Sequence, residues 1–206
     1  MKKIAVVGYK GKMGRPIFLA LEEKFDVVGV GRFDCLEAYE NIDLVIDVAS
    51  GSSSVVSAEY CLKHNIPIII GSTGQSFEEN EKLDKIAQKI KMIRQSNFSI
   101  GFDMLVKMID EVLKYNPESI EIIEKHHINK KDSPSGTALE LKKMIEEKYN
   151  KIVNISSVRE GDEKGEHEIK FKFKNEEISL KHNVFSRQAF VDGIINSVDK
   201  LFRCYD

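Results

Sequence analysis

Two stretches of this sequence concentrate the residue types that handle protons and anions. The denser one runs Glu124-Lys125-His126-His127-Ile128-Asn129-Lys130-Lys131-Asp132-Ser133-Pro134-Ser135-Gly136-Thr137. His126 and His127 are two of the chain's five histidines, and an imidazole with an ordinary pKa of about 6.5 suits proton transfer near neutrality. Lys130 lies three residues beyond His127 and adds a fixed cation and a second candidate acid. Pro134-Ser135-Gly136-Thr137 reads as a turn entering a helix, where hydroxyls and free N–H groups can hold a carboxylate. Such a site suits a small dianionic substrate; the plainer alternative is a solvated charged loop that ends in an ordinary helix cap. No cysteine and no further histidine stands at metal-ligand spacing, so no metal is expected.

The second stretch is Gly8-Tyr9-Lys10-Gly11-Lys12-Met13-Gly14. It follows the strand-like run Ile4-Ala5-Val6-Val7 and opens a helical pattern, the context in which a glycine-rich turn becomes a credible dinucleotide site. Gly8 permits a tight turn, Gly11 lets the backbone approach a pyrophosphate, and Gly14 lets the helix pack close. The helix N-terminus then offers N–H groups and a partial positive charge to the phosphates. The acidic residue that usually accepts from the adenosine ribose at the end of the second strand is replaced by Gly31-Arg32. A guanidinium there matches a 2′-phosphate, which favours NADPH over NADH, while Asp34 stands two residues on and could still reach a ribose.

The elements that must position these groups fall into two textures. Strand-like runs at 3–7, 27–30, 44–48, 67–70 and 92–94, rich in Val and Ile, alternate with helical periodicity at 14–24, 55–64 and 78–89, the pattern of a parallel sheet covered on both faces. After Asn97-Phe98 come a helix over 100–113, a strand over 120–123, the polar loop, a helix over 137–149, and strands over 152–158, 167–173 and 178–183. A helix over 189–202 closes the chain. The expected fold class is therefore α/β: a Rossmann-like dinucleotide-binding domain over 1–98, with the C-terminal helix (186–206) packing back on it, plus a smaller α+β substrate and oligomerisation domain over 99–185 with an open, mainly antiparallel sheet.

Bulk properties set limits on partners. The 206 residues carry 42% hydrophobic and 31% charged side chains, enough for a real core. Their formal net charge of −2 gives no global field for nucleic acid or an anionic membrane. No apolar run reaches membrane-spanning or signal-peptide length. Three scattered cysteines form neither a disulfide framework nor a metal motif, which points to a reducing cytoplasm.

These residues resemble those of the 4-hydroxy-tetrahydrodipicolinate (dihydrodipicolinate) reductase family over nearly the whole chain. The likeness is carried by the glycine turn, by Gly71-Ser72-Thr73-Gly74, by Gln95-Ser96-Asn97-Phe98-Ser99-Ile100-Gly101, by the His-His-Lys loop through Ser135-Gly136-Thr137-Ala138, and by Ser186-Arg187. The resemblance implies hydride transfer from NADPH or NADH to the dihydropyridine ring formed when the hydroxylated substrate loses water, in diaminopimelate and lysine biosynthesis. It places His126 and Lys130 at the catalytic positions. His127, Ser135, Gly136 and Thr137 fall at the substrate carboxylates. Gly8, Tyr9, Lys10, Gly11, Lys12, Met13, Arg32, Gly71, Ser72, Thr73, Gln95, Ser96, Asn97 and Phe98 fall around the cofactor. It also implies a homotetramer built through the smaller domain's sheet. A reductase of another small imino or keto acid, and a non-catalytic dinucleotide-binding protein, would share the architecture.

Overall fold

The computed structural model describes residues 1–162 and 165–203, which divide into two compact units: Met1–Phe98 with the chain from Phe190 onward, and Ser99–Ala189. In the first unit, β1 (Lys3–Val7), β2 (Asp26–Val30), β3 (Leu44–Asp47), β4 (Ile68–Ile70) and β5 (Met92–Arg94) form a parallel sheet in the order β2-β1-β3-β4-β5. Alternation along each strand sends side chains to opposite faces. Ala5, Val45, Ile68 and Ile70 pack against Val55, Ala58 and Cys61 of α2 (Gly51–His64) and Leu83 and Ile86 of α3 (Phe77–Ala87). Ile4, Val6, Leu44, Ile46 and Ile69 pack against Ile17 and Leu21 of α1 (Gly14–Glu22) and Val191, Ile194, Val198 and Leu201 of α6 (Gln188–Arg203). The result is three layers, with the last helix of the chain completing the second face. Gly193 makes that docking possible, because a Cβ there would lie 1.5 Å from the Phe98 carbonyl oxygen.

The second unit is a two-layer α+β structure. β7 (Val153–Arg159), β6 (Ser119–His126), β8 (Glu166–Lys172) and β9 (Glu177–Asn183) form one sheet in the order β7-β6-β8-β9. β6 and β7 run parallel, joined through α5 (Gly136–Tyr149); the other two pairings are antiparallel. Phe102, Leu105 and Ile109 of α4 (Ile100–Leu113) and Ala138, Leu141 and Ile145 of α5 cover Ile120, Ile122, Ile169 and Phe171 of the sheet.

Two elements extend well past the apolar runs that mark them, and each extension bears on the site. β6 does not stop at Ile123: it continues to His126, because the inward alternation Ile120, Ile122 passes on to buried Glu124 and His126. The first half of the polar loop is thus strand, fixed by pairing with β7 and β8. α2 begins at Gly51 rather than 55, since Ser50 caps it by accepting from Ser53 N and the serines that follow complete its first turn.

Candidate active site

In the first unit the sheet order reverses at β1/β3, and crevices at the carboxyl ends of such strands are where doubly wound sheets bind ligands. A cleft of about 1120 Å³ opens there, reached by Gly8, Lys10 and Gly11, by Arg32 and Asp34 beyond β2, and by Ser53 of α2. Gly8 has φ +83°, and a Cβ on it would meet Ala49 at 2.9 Å. Gly11 N donates to Gly8 O at 2.8 Å, and a Cβ on Gly14 would lie 2.1 Å from that same oxygen. The turn is therefore coiled onto its own backbone, and at Gly8 and Gly14 only a residue without a side chain fits.

The helix that follows is distinctive in its start. Ser50, Ser76, Ser99 and Ser135 cap α2, α3, α4 and α5, whereas Met13 at the head of α1 makes no side-chain cap. An uncapped N-terminus beside a glycine turn is a place for a pyrophosphate. The residues present fit a dinucleotide.

Not every residue marked in the sequence offers its side chain to that cleft. The Tyr9 ring packs over Gly29, where a Cβ would come within 2.6 Å of it, and lies 5.5 Å from the Phe18 ring. Phe98 is core beneath α6. Lys12 is exposed on the turn itself and Met13 is half-buried. Gly71, Ser72 and Thr73 follow β4, and Gln95, Ser96 and Asn97 follow β5, at the same carboxyl edge of the sheet but outside the cleft lining. Arg32 is exposed, its guanidinium 5.9 Å from the Phe33 ring; Asp34 accepts from Gly31 N at 2.8 Å, so one of its oxygens holds its own loop. Deeper, Asp47 at the end of β3 is fully buried, and burial raises its carboxyl although Ser57, Ala49 and Ser53 donate to it.

The second unit gathers the proton-handling groups. His126 ends β6, its Nδ1 in a short contact with Glu124 Oε2. The other oxygen of Glu124 receives Arg159 Nη2 at 2.7 Å and Ser135 N at 3.3 Å. Burial works to raise the Glu124 carboxyl, but Arg159 and the other donors overcome it and hold it below its ordinary value. Burial lowers His126, and the charges of Lys130 and Arg159 add to that, against the pull of Glu124. Lys130 Nζ donates to Asp132 Oδ1 at 2.8 Å, while the half-buried His127 sits in the turn closed by Lys130 N on its carbonyl. Ser135 Oγ accepts from Ala138 N at 3.3 Å and lies 3.2 Å from His167 Nε2, so its hydroxyl is spent on capping α5. Gly136 and Thr137 follow it in the first turn of α5, and the Asp132 carboxylate already draws on the Gly136 backbone.

The expectation that no further histidine stands near is corrected by the sheet. β6 and β8 pair Glu124 with His167, and the His126 and His167 rings meet edge-on at 5.3 Å. Glu124, His126 and His167 each bring a ligand atom within 4.8 Å of the others. Arg159 already pairs with that carboxylate, so a further cation there would meet its charge. Burial pushes His167 down to about 3, keeping it neutral. Glu124, Arg159 and His167 are the members that reading by residue type did not single out. A strand-period reading of Glu124 and His126, two apart and so on one face, would have linked the first pair; Arg159 and His167 carry no local signal.

Known proteins decide the relationship. Residues 28–98 match the family model "Dihydrodipicolinate reductase, N-terminus", and residues 101–205 match "Dihydrodipicolinate reductase, C-terminus". The chain belongs to the dihydrodipicolinate reductase family. Curated relatives agree: it is 34% identical over 219 residues to the 4-hydroxy-tetrahydrodipicolinate reductase of Rickettsia rickettsii (strain Sheila Smith), covering 96% of this chain and 92% of that one. It is 30% identical to that of Thermosipho africanus (strain TCF52B), covering 95% and 89%. A dipicolinate-bound dihydrodipicolinate reductase from Paenisporosarcina sp. TG-14 shares the fold with a TM-score of 0.74 at 23% identity, over 97% of this chain and 94% of that one. An aspartate dehydrogenase from Thermotoga maritima shares the fold more distantly, with a TM-score of 0.63 at 13% identity over 98% and 97%. Membership in the reductase family carries with it a dinucleotide cofactor, NADH or NADPH.

Proposed function

We propose that this chain reduces 4-hydroxy-tetrahydrodipicolinate, by way of dihydrodipicolinate, to tetrahydrodipicolinate in diaminopimelate and lysine biosynthesis. The observation that carries the proposal is the buried Glu124–His126 pair beside Lys130 and the start of α5, in a chain whose other unit holds an uncapped glycine turn. When bound, the nicotinamide supplies the hydride. Gly8 and Gly11 would let the backbone close on the pyrophosphate, and the N–H groups heading α1 would hold it. In the other unit, Gly136 and Thr137 present the helix start to a substrate carboxylate, and His127 is assigned to the same role. Lys130 offsets the second negative charge.

Hydride arrival leaves an electron-rich ring that needs a proton, and His126 and Lys130 are the two groups able to give one. A buried imidazole that rests neutral takes up a proton when a dianion settles next to it, which couples proton loading to substrate binding.

The cofactor assigned is NADPH in preference to NADH. Arg32 is the exposed guanidinium on the cleft, and Asp34 is engaged with Gly31 N. We assign a homotetramer, for which the second unit's sheet offers the face turned away from α4 and α5, and a cytoplasmic location. No helix among the described residues is long and apolar enough to cross a membrane.

Purified protein supplied with the product of the pathway synthase should oxidise NADPH. A His126→Ala, Lys130→Ala double variant should fold and lose turnover by at least about 10²-fold. Equal turnover in that variant would reject the assigned roles, and activity on simple keto acids alone would move the chain to a different substrate.

A further inference from the structure

We infer that Glu124 is a positioning residue for proton delivery: one carboxylate oxygen fixes which nitrogen of His126 faces the substrate, and the other ties that imidazole to the start of α5. The inference rests on the reductase reading of this site.

It begins with a residue in the wrong kind of place. Along β6 the inward row runs Ile120, Ile122, Glu124, His126, and Glu124 is fully buried. A third aliphatic side chain there would extend the core, and a buried ion pair is poor value as a source of stability. What the carboxylate does instead is visible in its partners. Oε2 holds His126 Nδ1; Oε1 accepts from Arg159 Nη2 at 2.7 Å and from Ser135 N at 3.3 Å. A neutral imidazole bound by Nδ1 to a carboxylate carries its proton on Nδ1, which leaves Nε2 as the atom that takes and gives the working proton. An acceptor behind a catalytic histidine plays this part in hydrolytic triads, where it fixes tautomer and orientation without being protonated itself.

Among the described residues, the charged and titratable groups around His126 fit the assignment, and Gly165 beside Nε2 adds no side chain there. Glu124 on its own strand favours the imidazolium, while Lys130 in the loop and Arg159 on β7 oppose it. His167 on β8 meets its ring edge-on and stays neutral. Asp132 is engaged with Lys130. Among the described residues Glu124 is thus the one carboxylate bound to the ring, and Arg159 holds it ionised. Ser135 N on the same carboxylate places the helix start, with Gly136 and Thr137, at a fixed distance from the imidazole, so proton donor and anion cradle move as one body.

The test has two arms. Long-range proton–nitrogen correlation on ligand-free protein with 15N-labelled histidine should show His126 as the Nδ1–H tautomer in the wild type. Glu124→Gln should populate Nε2–H as well, since an amide can donate as readily as accept. In steady state, the same variant should lose about 10- to 100-fold in kcat while KM for NADPH stays unchanged. An Nε2–H tautomer in the wild type would overturn the inference even if the variant failed to fold. Wild-type kcat in a folded Glu124→Gln would overturn it as well. The tautomer measurement needs no substrate, so a wild type without turnover would count against the reductase reading alone.

Discussion

Arg32 is where a single side chain is asked to make the finest distinction. Its guanidinium stands at the cleft beyond β2 in place of a carboxylate, and a guanidinium pairs with a 2′-phosphate through charge-assisted hydrogen bonds worth a few kcal/mol at most. Arg32→Ala should therefore weaken NADPH binding by about 10- to 100-fold and leave NADH nearly unchanged, as read by titration calorimetry with each cofactor. Equal weakening of both would show that Arg32 does not read the phosphate. At this scale the sequence was most informative where residue type alone implies chemistry: His126, Lys130 and the three turn glycines stand out by kind and spacing. It was silent where a role is created by folding. Glu124 is an ordinary acidic residue until β6 buries it, and Arg159 lies 35 positions away until β7 pairs alongside and sets its guanidinium on that carboxylate. Tyr9 and Phe98 show folding at work in another way, since neighbouring packing claims both rings.

Elements differ in how their starts are satisfied, and that difference sorts scaffold from site. Serines close α2 through α5, while α1 is left without a side-chain cap at the glycine turn. The α5 cap is itself buttressed by His167, and α4's cap is matched by His182 Nε2 at 3.1 Å from Ser99 Oγ. Burial has a pH consequence for this arrangement. Unfolded, His167 takes up a proton near 6.5; folded, it resists until about 3. The unfolded chain thus binds more protons between those values, and native stability falls as pH drops through that window, with no further loss from this residue below it. Urea unfolding of wild type and His167→Gln should show a shallower acid loss in the variant between pH 6.5 and 3; identical slopes would mean that His167 is not held neutral. None of this was legible beforehand, because His167 meets Glu124 and His126 only through the antiparallel pairing of β6 with β8. The elements themselves were legible: alternating apolar runs marked the parallel strands, and the boundaries moved where serines or inward-facing polar residues extended an element past its apolar stretch.

Across the whole molecule, two units have separate cores, and the proposed chemistry divides between them as a dinucleotide cleft and a proton-and-anion site. The order of strands and helices along the chain displayed this α/β architecture because buried parallel strands read as continuous apolar runs. Assembly is not written in that order. The tetramer assigned above should sediment as a single species of four chains at micromolar concentration, and a monomer under those conditions would contradict it. Where the hydride goes can be followed with an isotope. With NADPH carrying deuterium at the transferred position of nicotinamide C4, tetrahydrodipicolinate formed by the wild type should gain one non-exchangeable deuterium for each cofactor oxidised. Cofactor oxidation that leaves the product unlabelled, or no oxidation at all with the synthase's product present, would contradict the account.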